Sequence, residues 1–312
     1  YVRYINRWDL QKKHPDLNLS EPIEPIVFWI ENTVPHEFRD AVREGILKWN
    51  LAFEKIGFKN AIVVKQMPDN ADWDPADTRY NTIRWMIQPG NAYAVGPSRA
   101  NPFTGELYDA DIRIGSDYLR FYYTDFMEFI DPIQVMAYED SIMHNHDDCH
   151  YQDLMKHKMT YAWNYFTATN QIANSRTEMK QFVYDGIVDL ILHEVGHTLG
   201  LRHNFKASSI YSIEELSNPD FTEQYGVTGS VMDYNATNLL DGGHNYFQTI
   251  PGPYDYWAIE YAYAEQEPYS RETEKEFLEN IASKSTEPML TYGTDEDAGG
   301  RGIDPYTNRR DM

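Results

Sequence analysis

The eleven residues His193-Glu194-Val195-Gly196-His197-Thr198-Leu199-Gly200-Leu201-Arg202-His203 hold three imidazoles and a carboxylate at spacings that matter. On a helix, His193 and His197 lie one turn apart on the same face. Two imidazoles so placed can reach one zinc ion at about 2.0–2.1 Å each. Glu194, one residue on, faces the side where a water would sit, a position suited to a general base rather than a further ligand. A helix cannot return His203 to the same ion without a sharp turn. Gly200 supplies one, because glycine takes a positive φ at little cost and so can end the helix. Three neutral histidines then leave a fourth position open for water, as a catalytic zinc site requires. A bare His-Glu-x-x-His can arise by chance on an ordinary helix; Gly200 and His203 add two constraints that chance does not explain. This chemistry is metal-assisted hydrolysis, with Glu194 moving the proton.

Elements must hold these groups in place. Phe182, Ile187, Leu190, Ile191, Val195 and Leu199 recur at helical spacing and predict a helix over 179–201. Phe38, Val42, Ile46, Trp49 and Phe53 predict a long early helix over 35–56, opened by Thr33 and Pro35 and stopped at Gly57. Residues 26–30 read as a buried strand, and 61–64 and 82–86 as two more. Residues 93–114 form a hairpin-like unit, an extended edge segment at 93–99 followed by an alternating strand at 107–114. Further helices are expected at 254–264 and near 271–283. Residues 1–24 are a Pro-punctuated lead-in, 115–178 an aromatic, irregular insertion, and 266–312 an extension whose packing the sequence does not indicate.

Downstream stands Ser230-Val231-Met232-Asp233-Tyr234, its methionine 29 residues past His203. Together the two stretches resemble the zinc signature and the Met-turn of the metzincins. Their flanks, Asn204-Phe205-Lys206-Ala207-Ser208 and Asn235-Ala236, look like those of large exported bacterial zinc-dependent metalloproteases, whose catalytic domains sit within longer chains. The resemblance is sharp over 185–260 and looser over 1–120. It implies an α+β fold: a twisted mixed sheet of about five strands with an antiparallel edge strand, a long early helix and a zinc-binding helix, with the catalytic domain spanning 25–265. It implies His193, His197 and His203 as zinc ligands, Glu194 as catalytic base, Gly200 as the turn, and Met232 as an apolar floor beneath the histidines. Tyr234 would be a zinc ligand or an oxyanion donor; an ordinary buried tyrosine is the competing reading. A protein or peptide substrate would lie along the edge segment, and residues 235–242 would shape its specificity pocket. Many metzincins follow the third histidine with Asp, Glu, Pro or Ser; Asn204 departs from that set.

Composition narrows the partners. With 49 acidic against 27 basic residues the formal charge is −22, a surface that repels nucleic acid and anionic membranes. No apolar run is long enough to span a bilayer, and no signal peptide is present. The chain opens at Tyr1 in mid-pattern, so it reads as a processed product or an excerpt of a longer multidomain protein. Export to the periplasm, cell surface or medium is what the resemblance implies. The single cysteine, Cys149, permits no internal disulfide. It lies in a run with His144, His146, Asp147 and His150 that matches no standard metal motif, so a solvated loop is the preferred reading. Asp109, Asp111 and Asp117 raise calcium as a second cation, but the spacing is not an EF-hand loop and ordinary strand-edge carboxylates are preferred. Two alternatives to a zinc endopeptidase stay open: a zinc-binding module without turnover, and a zinc hydrolase acting on a non-peptide bond.

Overall fold

The computed structural model describes residues 5–87, 94–96, 98–116, 158–162, 164–166, 169, 176–240, 245–265, 270–295 and 297. The first apolar run forms β1 (Ile26–Ile30), with β2 (Ile62–Gln66) on one side and β3 (Asn81–Met86) on the other, both parallel to it. Ile26, Phe28 and Ile30 point into the core, each contributing about 1.5–3 kcal/mol by leaving water. The alternate residue Trp29 is half-buried instead; Trp73 and Tyr80 pack edge-on against it at 5.5 and 6.1 Å, and the Lys65 ammonium lies 5.1 Å from its ring. The apolar run therefore has one core face and one face roofed by the loop between β2 and β3.

The long strand β6 (Leu107–Gly115) runs parallel to β3 and carries Ala110, Ile112 and Ile114 on its buried face. Two short strands, β4 (Ala94–Val95) and β5 (Ser98–Ala100), pair antiparallel with it. Ala94 faces Ile114 and Ser98 faces Ala110, so β4 and β5 follow one register along β6 and form one edge lane. The mixed sheet with an antiparallel edge is the architecture expected from the sequence, with the edge strand in two pieces.

The early helix differs from the single rod expected over 35–56. A 3₁₀ turn (His36–Phe38) leads into α1 (Arg39–Leu47), and α2 (Asn50–Lys55) follows after a break. At the break the hydrogen bonds shorten from i−4 to i−3: Leu51 N–H donates to Lys48 and Ala52 N–H to Trp49. Trp49, fully buried, turns its indole N–H to the Leu192 carbonyl of the next helix at 3.0 Å.

That helix, α3 (Arg176–Thr198), packs along α1. The contact is close: a Cβ on Gly45 of α1 would stand 2.7 Å from Ile191 Cβ. Beyond it come α4 (Ile213–Leu216), α5 (Pro219–Tyr225), α6 (Pro253–Tyr263) and α7 (Arg271–Ala282). The lead-in is tied in near the start of its described part. Arg7 exchanges backbone bonds with Gly105 and Leu107, and Trp8 donates its indole N–H to Thr198 O at 2.9 Å. No helix among the described residues is long and apolar enough to cross a membrane. Asp117, the run from His144 to His150 and most of 115–178 lie outside the described residues.

Candidate metal centre

The end of α3 and the loop after it gather His193, His197 and His203. One ring nitrogen from each lies within 4.8 Å of the others. The return of His203 depends on the turn. Gly200 has φ +97°, Leu201 N–H bonds Gly196 O, and Gly200 N–H bonds His197 O, the pair of bonds that closes a helix in a Schellman motif. A side chain on Gly200 is excluded twice, by that φ and because its Cβ would stand 2.0 Å from Asn6 O.

Each imidazole is oriented through Nδ1. His193 donates to Val231 O at 2.7 Å and His197 to Leu201 O at 3.1 Å. His203 donates to the Asp295 carboxylate, at 3.1 Å to Oδ1 and 3.3 Å to Oδ2. Occupied at Nδ1, all three rings present Nε2, the tautomer that a metal ligand needs. His197 Nε2 is buried with no hydrogen-bond partner among the described residues, an expensive state for a nitrogen that nothing binds. Burial, then the neighbouring imidazoles, hold His193 well below the usual histidine range, and the same causes bring His197 to about 3. The neutral ligand form is thus favoured before any ion arrives. The donor set, three neutral imidazoles of borderline softness, fits zinc.

Glu194 is fully buried beside His193. Gly96 of the edge lane is set against it: a Cβ there would come within 2.6 Å of Glu194 O and 3.3 Å of Oε2. The edge of the sheet therefore meets α3 at the carboxylate itself. Tyr234 is buried and its hydroxyl lies 3.2 Å from His203 Nε2, with its ring 4.8 Å from that of His203 and 5.6 Å from that of His193. Phe205 covers the outer side of His203 at 5.1 Å.

Met232 is fully buried, with its Sδ against Gly196 of α3, where a Cβ would approach to 2.3 Å. The turn that carries it is held by a residue sequence reasoning passed over. Asp255, fully buried in the first turn of α6, accepts from Ser230 Oγ at 2.6 Å, Val231 N–H at 2.8 Å and Gly252 N–H at 2.7 Å. Burial raises its pKa to about 7 against the pull of those donors. An acid two residues after Pro253 was the available signal, but it reads only as a helix start. Asn204, noted in the sequence only as a departure, is a tie. Its N–H bonds Met232 O at 2.9 Å, its amide donates to Thr291 O at 3.0 Å, and its Oδ1 accepts from Gly293 N–H at 3.1 Å. Asp295 carried no signal in the Gly- and Asp-rich tail. Lys158, in a helical piece before α3, donates to Asn235 O and lies among the charges of Asp189 and Asp233; burial lowers its pKa to about 8. Of the calcium candidates, Asp109 pairs with Arg99 at 2.7 Å and Asp111 accepts from Thr82 Oγ1 at 2.7 Å.

No curated protein and no solved structure matches the chain. Residues 175–312 match the family model described as Met-zincin, and His193, His197 and His203 all lie within that stretch.

Proposed function

We propose that the protein is a zinc-dependent endopeptidase, with His193, His197 and His203 as ligands and Glu194 and Tyr234 as catalytic groups. One observation carries this reading: three imidazoles, each fixed through Nδ1 and offering Nε2 to a common point, stand beside a buried carboxylate. A purely structural zinc site has no use for that carboxylate and favours four protein ligands.

Zinc bound there supplies Lewis acidity, which acidifies water and favours negative charge on a carbonyl oxygen. The chain does the rest. Glu194 takes the proton of the attacking water and later delivers it to the leaving amine. Tyr234, its hydroxyl already 3.2 Å from a ligand nitrogen, donates a hydrogen bond to the oxyanion. Backbone groups of β4 pair with an extended peptide, adding a strand at the edge of the sheet. Gly96, without a side chain, lets that edge lie against Glu194. The same reading takes the chain to be the catalytic part of a longer exported protein.

Digestion of a peptide library by the zinc-loaded chain tests this. Cleavage that stops on chelation and returns with zinc supports an endopeptidase. A zinc-loaded chain that leaves every peptide intact contradicts it and favours a binding module or a hydrolase of another bond.

A further inference from the structure

The third histidine is held differently from the other two. His193 and His197 donate to backbone carbonyls. His203 donates to a carboxylate from a segment 92 residues away. That segment is bound to the His203 loop residue by residue. Asn204 accepts from Gly293 N–H and donates to Thr291 O, and Phe205 N–H bonds Gly293 O at 2.7 Å. Leu290, Gly293 and Thr294 are buried, and Tyr292 stacks on Tyr254 of α6 at 5.6 Å. Just beyond, Thr294 and Asp297 close a turn on each other: Thr294 N–H donates to Asp297 Oδ2 at 3.0 Å and Asp297 N–H to Thr294 O at 2.8 Å. Asp295 sits inside this turn, its Oδ2 also accepting from Thr294 Oγ1 at 3.3 Å.

We infer that Asp295 is a positioning residue for the metal, and that residues 291–295 are part of the centre rather than an appendage to it. The inference rests on the zinc reading above. A carboxylate on Nδ1–H fixes the tautomer, stops the ring from rotating about its Cβ–Cγ bond, and makes Nε2 a better donor to a cation. Asp295 touches neither metal nor substrate; it acts through His203.

The test compares zinc affinity, by competition with a chromophoric chelator, in the wild-type chain, Asp295→Asn, Asp295→Glu and Asp297→Asn. The visible spectrum of each Co(II)-loaded protein and the urea unfolding of each metal-free protein are recorded alongside. Asp295→Asn keeps the shape and removes the charge. It is expected to weaken zinc binding by about 10–100-fold and to shift the Co(II) spectrum, with metal-free stability unchanged. Asp295→Glu should recover part of the affinity, and Asp297→Asn should bind zinc more tightly than Asp295→Asn. Zinc binding by Asp295→Asn within about twofold of wild type, where loss of the carboxylate behind His203 should cost about tenfold or more, overturns the inference. So does an equal loss in Asp297→Asn, which would assign the effect to the turn. A wild-type chain that takes up no zinc overturns the zinc reading and this inference with it, an outcome distinct from tight zinc binding in every variant.

Discussion

The two sides of the metal centre are built from different material. His193 and His197 sit on α3 and lean on the carbonyls of Val231 and Leu201, while His203 leaves the helix and leans on the Asp295 side chain. A carbonyl cannot be mutated away or protonated in the working range, so the first side is only as firm as the backbone that presents it. For His193 that backbone is the turn anchored by Asp255. A carboxylate can be lost by a single substitution, and the second side depends on Asn204 keeping the 291–295 segment docked. The lesson is that three identical imidazoles have unequal vulnerabilities, set by what stands behind each.

The largest effect should come from breaking the backbone side. Asp255→Ala leaves three buried donors without an acceptor, each bond to a carboxylate being worth about 1.5–3 kcal/mol. Urea unfolding should show a loss of about 3 kcal/mol or more, and zinc binding should weaken because Val231 O shifts. A variant as stable as wild type would remove Asp255 from its anchoring role.

Acid probes the backbone side next. His197 has a folded pKa of about 3 against an ordinary 6.5. The unfolded chain therefore takes up a proton below 6.5 that the folded, metal-free chain refuses. Stability from this group is present above 6.5 and is lost as pH falls, by about 2 kcal/mol at about pH 5. Asp255, with its pKa raised to about 7, acts in the opposite sense: its contribution grows as pH falls and is lost as pH rises through 7. The histidine term is isolated by comparing metal-free wild type with His197→Ala, since Asp255 is common to both. The stability gap between the two should move against wild type on acidification. A gap independent of pH between 7 and 5 would show that His197 is not held neutral by burial.

The smallest of these effects sharpens the carboxylate side. Asn204→Ala removes the amide bonds to Thr291 and Gly293 but leaves Asp295 intact. Metal-free stability should fall by about 1–2 kcal/mol, with a weaker loss of zinc affinity than Asp295→Asn causes. Zinc binding lost more completely in Asn204→Ala than in Asp295→Asn would mean that the docked segment matters through something other than its carboxylate.

What was legible in the sequence follows the same division. The three gathered histidines, Glu194 and the Gly200 turn lie within eleven consecutive residues, so local geometry relates them. The strands were readable because alternation along β6 and apolar density in β1 and β3 are local properties. The break at Lys48–Trp49 was not, because the apolar period continues through it; what interrupts the ladder is Trp49 reaching for Leu192, a partner 143 residues on. Asp255 and Asp295 were invisible for a related reason. One looks like any acid at a helix start, the other like any acid in a polar tail, and only the folded chain brings them 25 and 92 residues back to Ser230 and His203. Asn204 was visible as an exception, and its meaning appeared only with the segment it holds.

The central claim is that the buried carboxylate beside these histidines moves the proton in peptide hydrolysis. It is tested most directly by Glu194→Gln, with zinc content and peptide cleavage measured on the same sample. The account predicts one zinc per chain, as in wild type, and no cleavage above background. Peptidase activity retained by the zinc-loaded variant would contradict it.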